Sequence, residues 1–208
     1  TYQRADETID SDFYAKARHI NHLDEAALAQ LKTFYHEHIT ENAELLDLMS
    51  SITSHIDDSL KLNRVTGLGM NREELESNTR LDEIIIHDIN QNNRLPFDDA
   101  SFDVVLCSLS IEYITDPQAL FEEVARITRP GGRFIISFSN RCFPSKAIQL
   151  WNNLHDFERI GVVMEYFIES AHFGEINTYS LRGIPRPLYD KHNIPLSDPL
   201  YIIWADRD

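Results

Sequence analysis

The chain of 208 residues is 42% hydrophobic and sets 34 acidic against 19 lysine and arginine side chains, a formal charge of -15 with histidine neutral. That is enough chain for one substantial core, and with no Gly/Ser-rich or Pro-rich linker a single acidic domain is expected. Scattered basic residues in so negative a field disfavour nucleic acid or anionic lipid as partners, and no window approaches the roughly 20 apolar residues of a membrane span.

The start Thr1-Tyr2-Gln3-Arg4 does not read as a signal peptide, and a reducing cytoplasm is the expected setting. Cys107 lies in an apolar run and Cys142 in a loop, with no Cys-x-x-Cys pair. The pairs His19/His22 and His36/His38 lack further ligands, so no metal is expected.

Residues 1 to 22 read as a polar arm that Tyr2, Phe13 and Tyr14 can pin to the body. Asp24 then caps a helix. Leu23 and Leu28 can staple its start, and Leu28, Leu31, Phe34 and Tyr35 form a stripe suited to covering a sheet face or lining a cleft. Strands follow over residues 44 to 48, 64 to 68 and 81 to 87, where Ile84, Ile85 and Ile86 read as buried on both faces. Two more are expected over 102 to 108 and 133 to 138. Between them Asp116 is a good N-cap, Pro117 fits the first helical position, and Leu120, Phe121, Val124 and Ile127 share a face. Pro130-Gly131-Gly132 is expected to end that helix.

Helical runs are predicted near 145 to 154 and 157 to 170, the second with Ile160, Val163, Met164 and Phe167 at helical spacing. Late strands over 175 to 181 and 200 to 205 flank a loop with Pro185, Pro187 and Pro195, which suggests an antiparallel end to the sheet. The alternation elsewhere argues for an α/β fold with a mainly parallel sheet covered on both sides.

In such a sheet a ligand lies beyond the carboxyl ends of the strands. The segment after Leu48, Gly67 to Asn71, Asp88 and Ser108 to Ser110 meet there. Asp88 can accept hydrogen bonds from a ligand amine or hydroxyl, or cap its own loop. Gly67 and Gly69 make only a G-x-G fragment, which disfavours a nicotinamide dinucleotide, and no P-loop is present.

Leu95-Pro96-Phe97 with Ser101-Phe102-Asp103, followed by Arg126 and Pro130-Gly131-Gly132, resembles the small-molecule branch of the class I, S-adenosylmethionine-dependent methyltransferases, over about Ala43 to Phe138. Gly67 to Asn71 (GLGMN) and Ser137 to Arg141 (SFSNR) resemble a subgroup with a glycine-poor first loop. The resemblance implies a Rossmann-like three-layer sandwich with a mostly parallel seven-stranded sheet and an antiparallel C-terminal strand. Residues 1 to 40 would be an arm and covering helix, joined to a methyltransferase-like domain over 41 to 208.

It also implies S-adenosylmethionine as cofactor and a small molecule as substrate, with no oligomeric state indicated. The first loop, with Asp47, Met49, Ser50 and Ser51, would face the amino-acid part of the cofactor. Family glycines fall on Met49, Ser51 and Thr53, the ribose-binding acid falls on Gly69 beside Met70, the adenine-side aspartate falls on Asp88, and Ser108 and Leu109 flank the methyl-transfer cleft. Met49 is not expected to copy the positive φ of glycine. Hydroxyls of Ser50, Ser51 and Thr53, or the start of a helix near Thr53, are expected to supply donors instead. Losing the acid at Gly69 costs about 1–3 kcal/mol unless water or Asn71 replaces it.

Methyl transfer needs alignment and dryness more than a dedicated catalytic group. His22 is the first candidate base, although a plain helix-entry residue is the stronger reading of it, and Glu112 and Tyr113 are the second, with a spacing that equally suits loop packing. Arg141 could hold an anionic acceptor or pair with one of the many surface acids. Phe143, Trp151 and Tyr166 could wall the cleft. The alternative is a noncatalytic binding or scaffold protein that keeps this fold.

Overall fold

The computed structural model describes residues 1–186 and 195–208. In chain order the elements are α1 (Asp10–Phe13), α2 (Glu25–His38), β1 (Glu44–Leu48), β2 (Arg64–Gly69), α3 (Arg72–Ser77), β3 (Glu83–Ile86), β4 (Phe102–Ser108), α4 (Pro117–Ile127), β5 (Thr128–Phe138), α5 (Gln149–Asn152), α6 (Asp156–Ser170), β6 (Asn177–Leu181) and β7 (Leu200–Asp206), with a 3-10 turn at Ile111–Tyr113. The seven strands form one sheet in the order β3-β2-β1-β4-β5-β7-β6. β1 to β5 pair in parallel and β7 runs antiparallel to both β5 and β6.

Side-chain alternation explains why both faces are covered. Leu46, Val105, Cys107, Phe134 and Ile136 point to one side, where α4 and α6 bring Phe121, Val124, Val163 and Phe167. Leu45, Val104, Leu106 and Ile135 point to the other, where α2 brings Leu31, Phe34 and Tyr35. The result is the expected three-layer sandwich with a mostly parallel sheet and an antiparallel C-terminal end. The caps also form as read: Asp24 accepts from the Ala27 N–H at 2.9 Å and Asp116 from that of Ala119 at 3.1 Å.

Four features differ from expectation. β3 is an edge strand and Ile86 is 43% exposed, so the isoleucine run is not buried on both faces. β5 begins at Thr128 and takes Pro130-Gly131-Gly132 into the strand, where Gly131 adopts φ 75 and donates to Arg207 O while Arg207 N donates to Gly132 O. α5 is a single turn rather than a run over 145 to 154. No helix follows the first loop; β1 connects to β2 through irregular chain. Pro187 lies outside the described residues.

The arm crosses the carboxyl edge of the sheet and is tied on both sides. Gln149 N donates to Gln3 O at 2.7 Å, and the fully buried Lys146 ammonium donates to Thr8 O at 2.6 Å and faces the Asp10 carboxylate at 3.1 Å. Arg4 and Asn90 complete the shell of Asp10, at 2.7 and 3.0 Å. On the far side Asn71 donates to Tyr14 O at 2.8 Å and Arg18 N donates to Glu74 at 2.6 Å. Among the described residues both cysteines are free, no three side chains make a metal cluster, and no helix is long and apolar enough to cross a membrane.

Candidate active site

Parallel β1 to β4 end on one crevice, roofed by the arm. At the end of β1, Asp47, Met49, Ser50 and Ser51 line it. Met49 takes φ 58, the left-handed conformation that glycine adopts most readily, contrary to expectation. Fixed contacts outweigh the local cost of about 1–2 kcal/mol: Ser50 N donates to Leu68 O at 2.8 Å and Ser50 Oγ to the buried Asp47 carboxylate at 2.5 Å. Burial pushes the Asp47 carboxyl up to about 6 against the hydrogen bonds from Ser50 and Ser54. With no helix near Thr53, serine side chains take over the pinning of the loop. Ser51 Oγ donates to Glu74 at 2.7 Å, and Asn78 donates to Ser51 O and Ser54 Oγ at 3.0 Å each.

At the end of β2, Gly69 and Met70 line the crevice. A Cβ on Gly69 would stand 2.4 Å from Ser50 O, so the closed loop itself excludes an acidic residue there. The acid arrives one helical turn later. Glu74, on α3, lines the crevice and accepts from Arg18 N and Ser51 Oγ. Sequence reasoning did not single it out, although Asn71-x-x-Glu74 is a capping pattern: Asn71 accepts from the Glu74 N–H at 3.1 Å. Asn71 spends its amide on Tyr14 O and Ala15 O.

At the end of β3, Asp88 serves two roles on two atoms. Oδ1 accepts from Asn90 N and Gln91 N at 3.0 and 3.3 Å, which caps the loop. Oδ2 is buried without a partner among the described residues, and the side chain lines the crevice. The longer connection after Asp88 also has a use, since Asn90 bridges Asp10 of the arm to Tyr113 O and accepts from Thr115 N.

At the end of β4, Ser108 and Leu109 line the site, Ser108 Oγ lying 2.6 Å from the Tyr35 hydroxyl and Leu109 adopting φ 55. Tyr113 also lines it; its hydroxyl accepts from Phe143 N at 2.9 Å, and burial raises its pKa well above the ordinary value. Glu112 does not line the crevice. It is 1% exposed behind the wall, with Oε2 unpartnered among the described residues and burial raising its carboxyl to about 7.

The roof includes His22, whose ring meets Phe143 edge-on at 5.4 Å. Burial lowers its pKa, the Arg18 charge adds to that and Glu74 opposes it, so the imidazole is neutral at pH 7. His55 is a second such group, unmarked in the sequence: burial lowers it to about 4 and it lines the same space at φ 57. Arg141 is turned to Asp198 at 2.9 Å rather than to the crevice. Of the three aromatics expected as a wall only Phe143 lines it; Trp151 and Tyr166 pack in the core beside α4.

Residues 50–136 match the family described as methyltransferase domain. A demethylmenaquinone methyltransferase of Mycobacterium sp. (strain KMS) is 50% identical over 54 residues, 24% of each chain. A malonyl-[acyl-carrier protein] O-methyltransferase of Marinomonas sp. (strain MWYL1) is 30% identical over 89 residues, 42% of this chain and 33% of that protein. The matched part thus spans a quarter to a third of these relatives' length. In structure, a SAM-dependent methyltransferase of Thermotoga maritima aligns with TM-score 0.61 and 16% identity over 88% of this chain and 89% of that one. The chain has the class I methyltransferase-like fold, and its match to the methyltransferase-domain family runs from the loop after β1 into β5.

Proposed function

We propose that the chain is an S-adenosylmethionine-dependent methyltransferase for a small molecule held in this crevice, of the kind with a glycine-poor first loop. The observation that carries the reading is Asp88 Oδ2, a buried acceptor without a partner at the strand end where the fold family places the adenine. An exocyclic amine is the complement such an oxygen lacks. Glu74 and the hydroxyls of Ser50 and Ser51 lie on the side where ribose and amino acid would rest. The residues present therefore fit the cofactor, with Glu74 standing in for the acid that Gly69 lacks.

When bound, S-adenosylmethionine supplies an electrophilic methyl group on sulfonium. The chain's own part is to orient the acceptor and exclude water, which the tied arm and Phe143 do from above. His22 is neutral and can take a proton at a ring nitrogen from an acceptor that loses one, whereas His55, which burial lowers to about 4, is a weak base that stays neutral. Tyr113 keeps its proton and acts as a donor. Residues 1 to 40 and 41 to 208 work as one domain, because the arm completes the site, and the free thiols suit a cytoplasmic setting.

One observation favours a noncatalytic binding protein: both oxygens of Glu74 are already engaged, which leaves the ribose hydroxyls fewer strong partners. Calorimetry with S-adenosylmethionine and S-adenosylhomocysteine decides between the two readings. Heat of binding with either at up to millimolar concentration is expected; no heat and no thermal stabilisation from both would defeat methyl transfer.

A further inference from the structure

The roof holds a second charged atom without a partner. The Arg18 guanidinium lies 4.3 Å from the Phe13 ring centre, 5.7 Å from that of Tyr14 and 5.5 Å from that of Phe143, so three rings sleeve it. Its Nη2 donates to Phe13 O at 2.7 Å, and its backbone N–H is held by Glu74. Its Nη1 is buried with no hydrogen-bond partner among the described residues, while the side chain lines the crevice.

Three of the four carboxylates that line the same space are spent elsewhere, and the fourth, Asp88, caps its own loop at the end of β3 through Oδ1. Asp10 is occupied by Arg4, Asn90 and Lys146, Glu74 by Ser51 and the Arg18 backbone, and Asp47 by Ser50. A guanidinium N–H removed from water is poorly placed without an acceptor, and a planar anion matches its geometry best. Rings around it fix the fork in advance, which lowers the ordering cost of meeting such an anion.

Building on the methyl-transfer reading, we propose that Arg18 Nη1 is the anion-binding group of the crevice and pairs with a ligand carboxylate. Two sources present that chemistry: the amino-acid end of the cofactor, and a carboxylate on the methyl acceptor. Phe13 and Phe143 beside the guanidinium give the second a flat apolar body to lie against.

The test compares wild-type protein with R18M and R18K by calorimetry in two matched pairs of probes. S-adenosylhomocysteine is set against 5′-methylthioadenosine, which lacks the amino-acid carboxylate, and benzoate is set against benzamide, its neutral analogue. If the cofactor is the source, R18M weakens S-adenosylhomocysteine tenfold or more and leaves methylthioadenosine unchanged. If the acceptor is the source, R18M weakens benzoate by that factor and leaves benzamide and S-adenosylhomocysteine unchanged. R18K, which keeps the charge without the fork, falls between wild type and R18M. The neutral probes report that each variant is folded. Equal affinities of wild type and R18M for both anions, or no binding of either anion by the wild type, overturn the proposal. If neither S-adenosylhomocysteine nor S-adenosylmethionine binds the wild type, the methyl-transfer reading fails, and the benzoate pair then judges Arg18 by itself.

Discussion

The two ends of the crevice are built from the same parallel strands and spend their polar groups in opposite ways. At the β1–β2 end Asp47, Ser50, Ser51, Glu74 and Asn78 hydrogen-bond to one another or to adjacent backbone. At the β3–β4 end Asp88 Oδ2 and, behind the wall, Glu112 Oε2 have no partner among the described residues. Satisfied groups hold a loop in place and have little left for a ligand; unsatisfied ones cost folding energy and gain it back only when something binds. On the proposed function, the first end mainly holds the loop in place, and the second is where a ligand would find free acceptors.

Substitutions should divide along the same line. The largest effect is expected from Glu74→Ala, which strips Ser51 Oγ and Arg18 N of a charged partner and should cost about 3 kcal/mol in urea unfolding; a loss below about 1 kcal/mol would break the comparison. Next is Glu112→Gln, through pH. Burial holds the Glu112 carboxyl at about 7 against an ordinary 4.5, so the folded chain keeps a proton that the unfolded chain has released, and the residue's contribution falls as pH rises through that window. Relative to wild type the Gln variant should gain about 3 kcal/mol between pH 4 and pH 8, because about 1.4 kcal/mol accompanies each pKa unit; an equal difference at both pH values would rule out the buried, protonated state.

Gly69→Ala comes third. Its Cβ would meet Ser50 O at 2.4 Å, and displacing that backbone should cost about 2 kcal/mol in thermal or urea unfolding. An unchanged melting point would mean that the loop opens freely and that an acid was never excluded. The smallest change in folding is expected from Asp88→Asn, within about 0.5 kcal/mol because one oxygen still caps the loop. Its affinity for S-adenosylhomocysteine should nevertheless drop about tenfold, and unchanged affinity would take Asp88 out of the recognising end.

What could be read in the sequence follows from where each signal is local. The α2 and α4 caps and the apolar runs of β1 and β4 depend on neighbours a few residues away, and they appear where expected. The isoleucine run of β3 looked doubly buried because nothing within it reports that the strand is at an edge. Met49 departs from expectation for a related reason: its φ is imposed by the Ser50–Leu68 and Ser50–Asp47 contacts, which no propensity of methionine encodes. Gly69 read alone looks like a lost carboxylate, whereas its spatial neighbour Ser50 O shows a steric reason for glycine. Glu74, His55 and Arg18 enter the site only through α3, the first loop and the arm folding onto one another.

The strap across the crevice also sets an order of events during synthesis. Arg18 leaves the ribosome 56 residues before Glu74, and Thr8 leaves 138 residues before Lys146. The roof is anchored in two stages, at Asn71, Glu74 and Asn90 while the strand ends are made, and at Lys146 and Gln149 only afterwards. Closure of the site is therefore completed late, and a nascent chain that has just completed β4 would have a ligand floor whose lid is tied on one side.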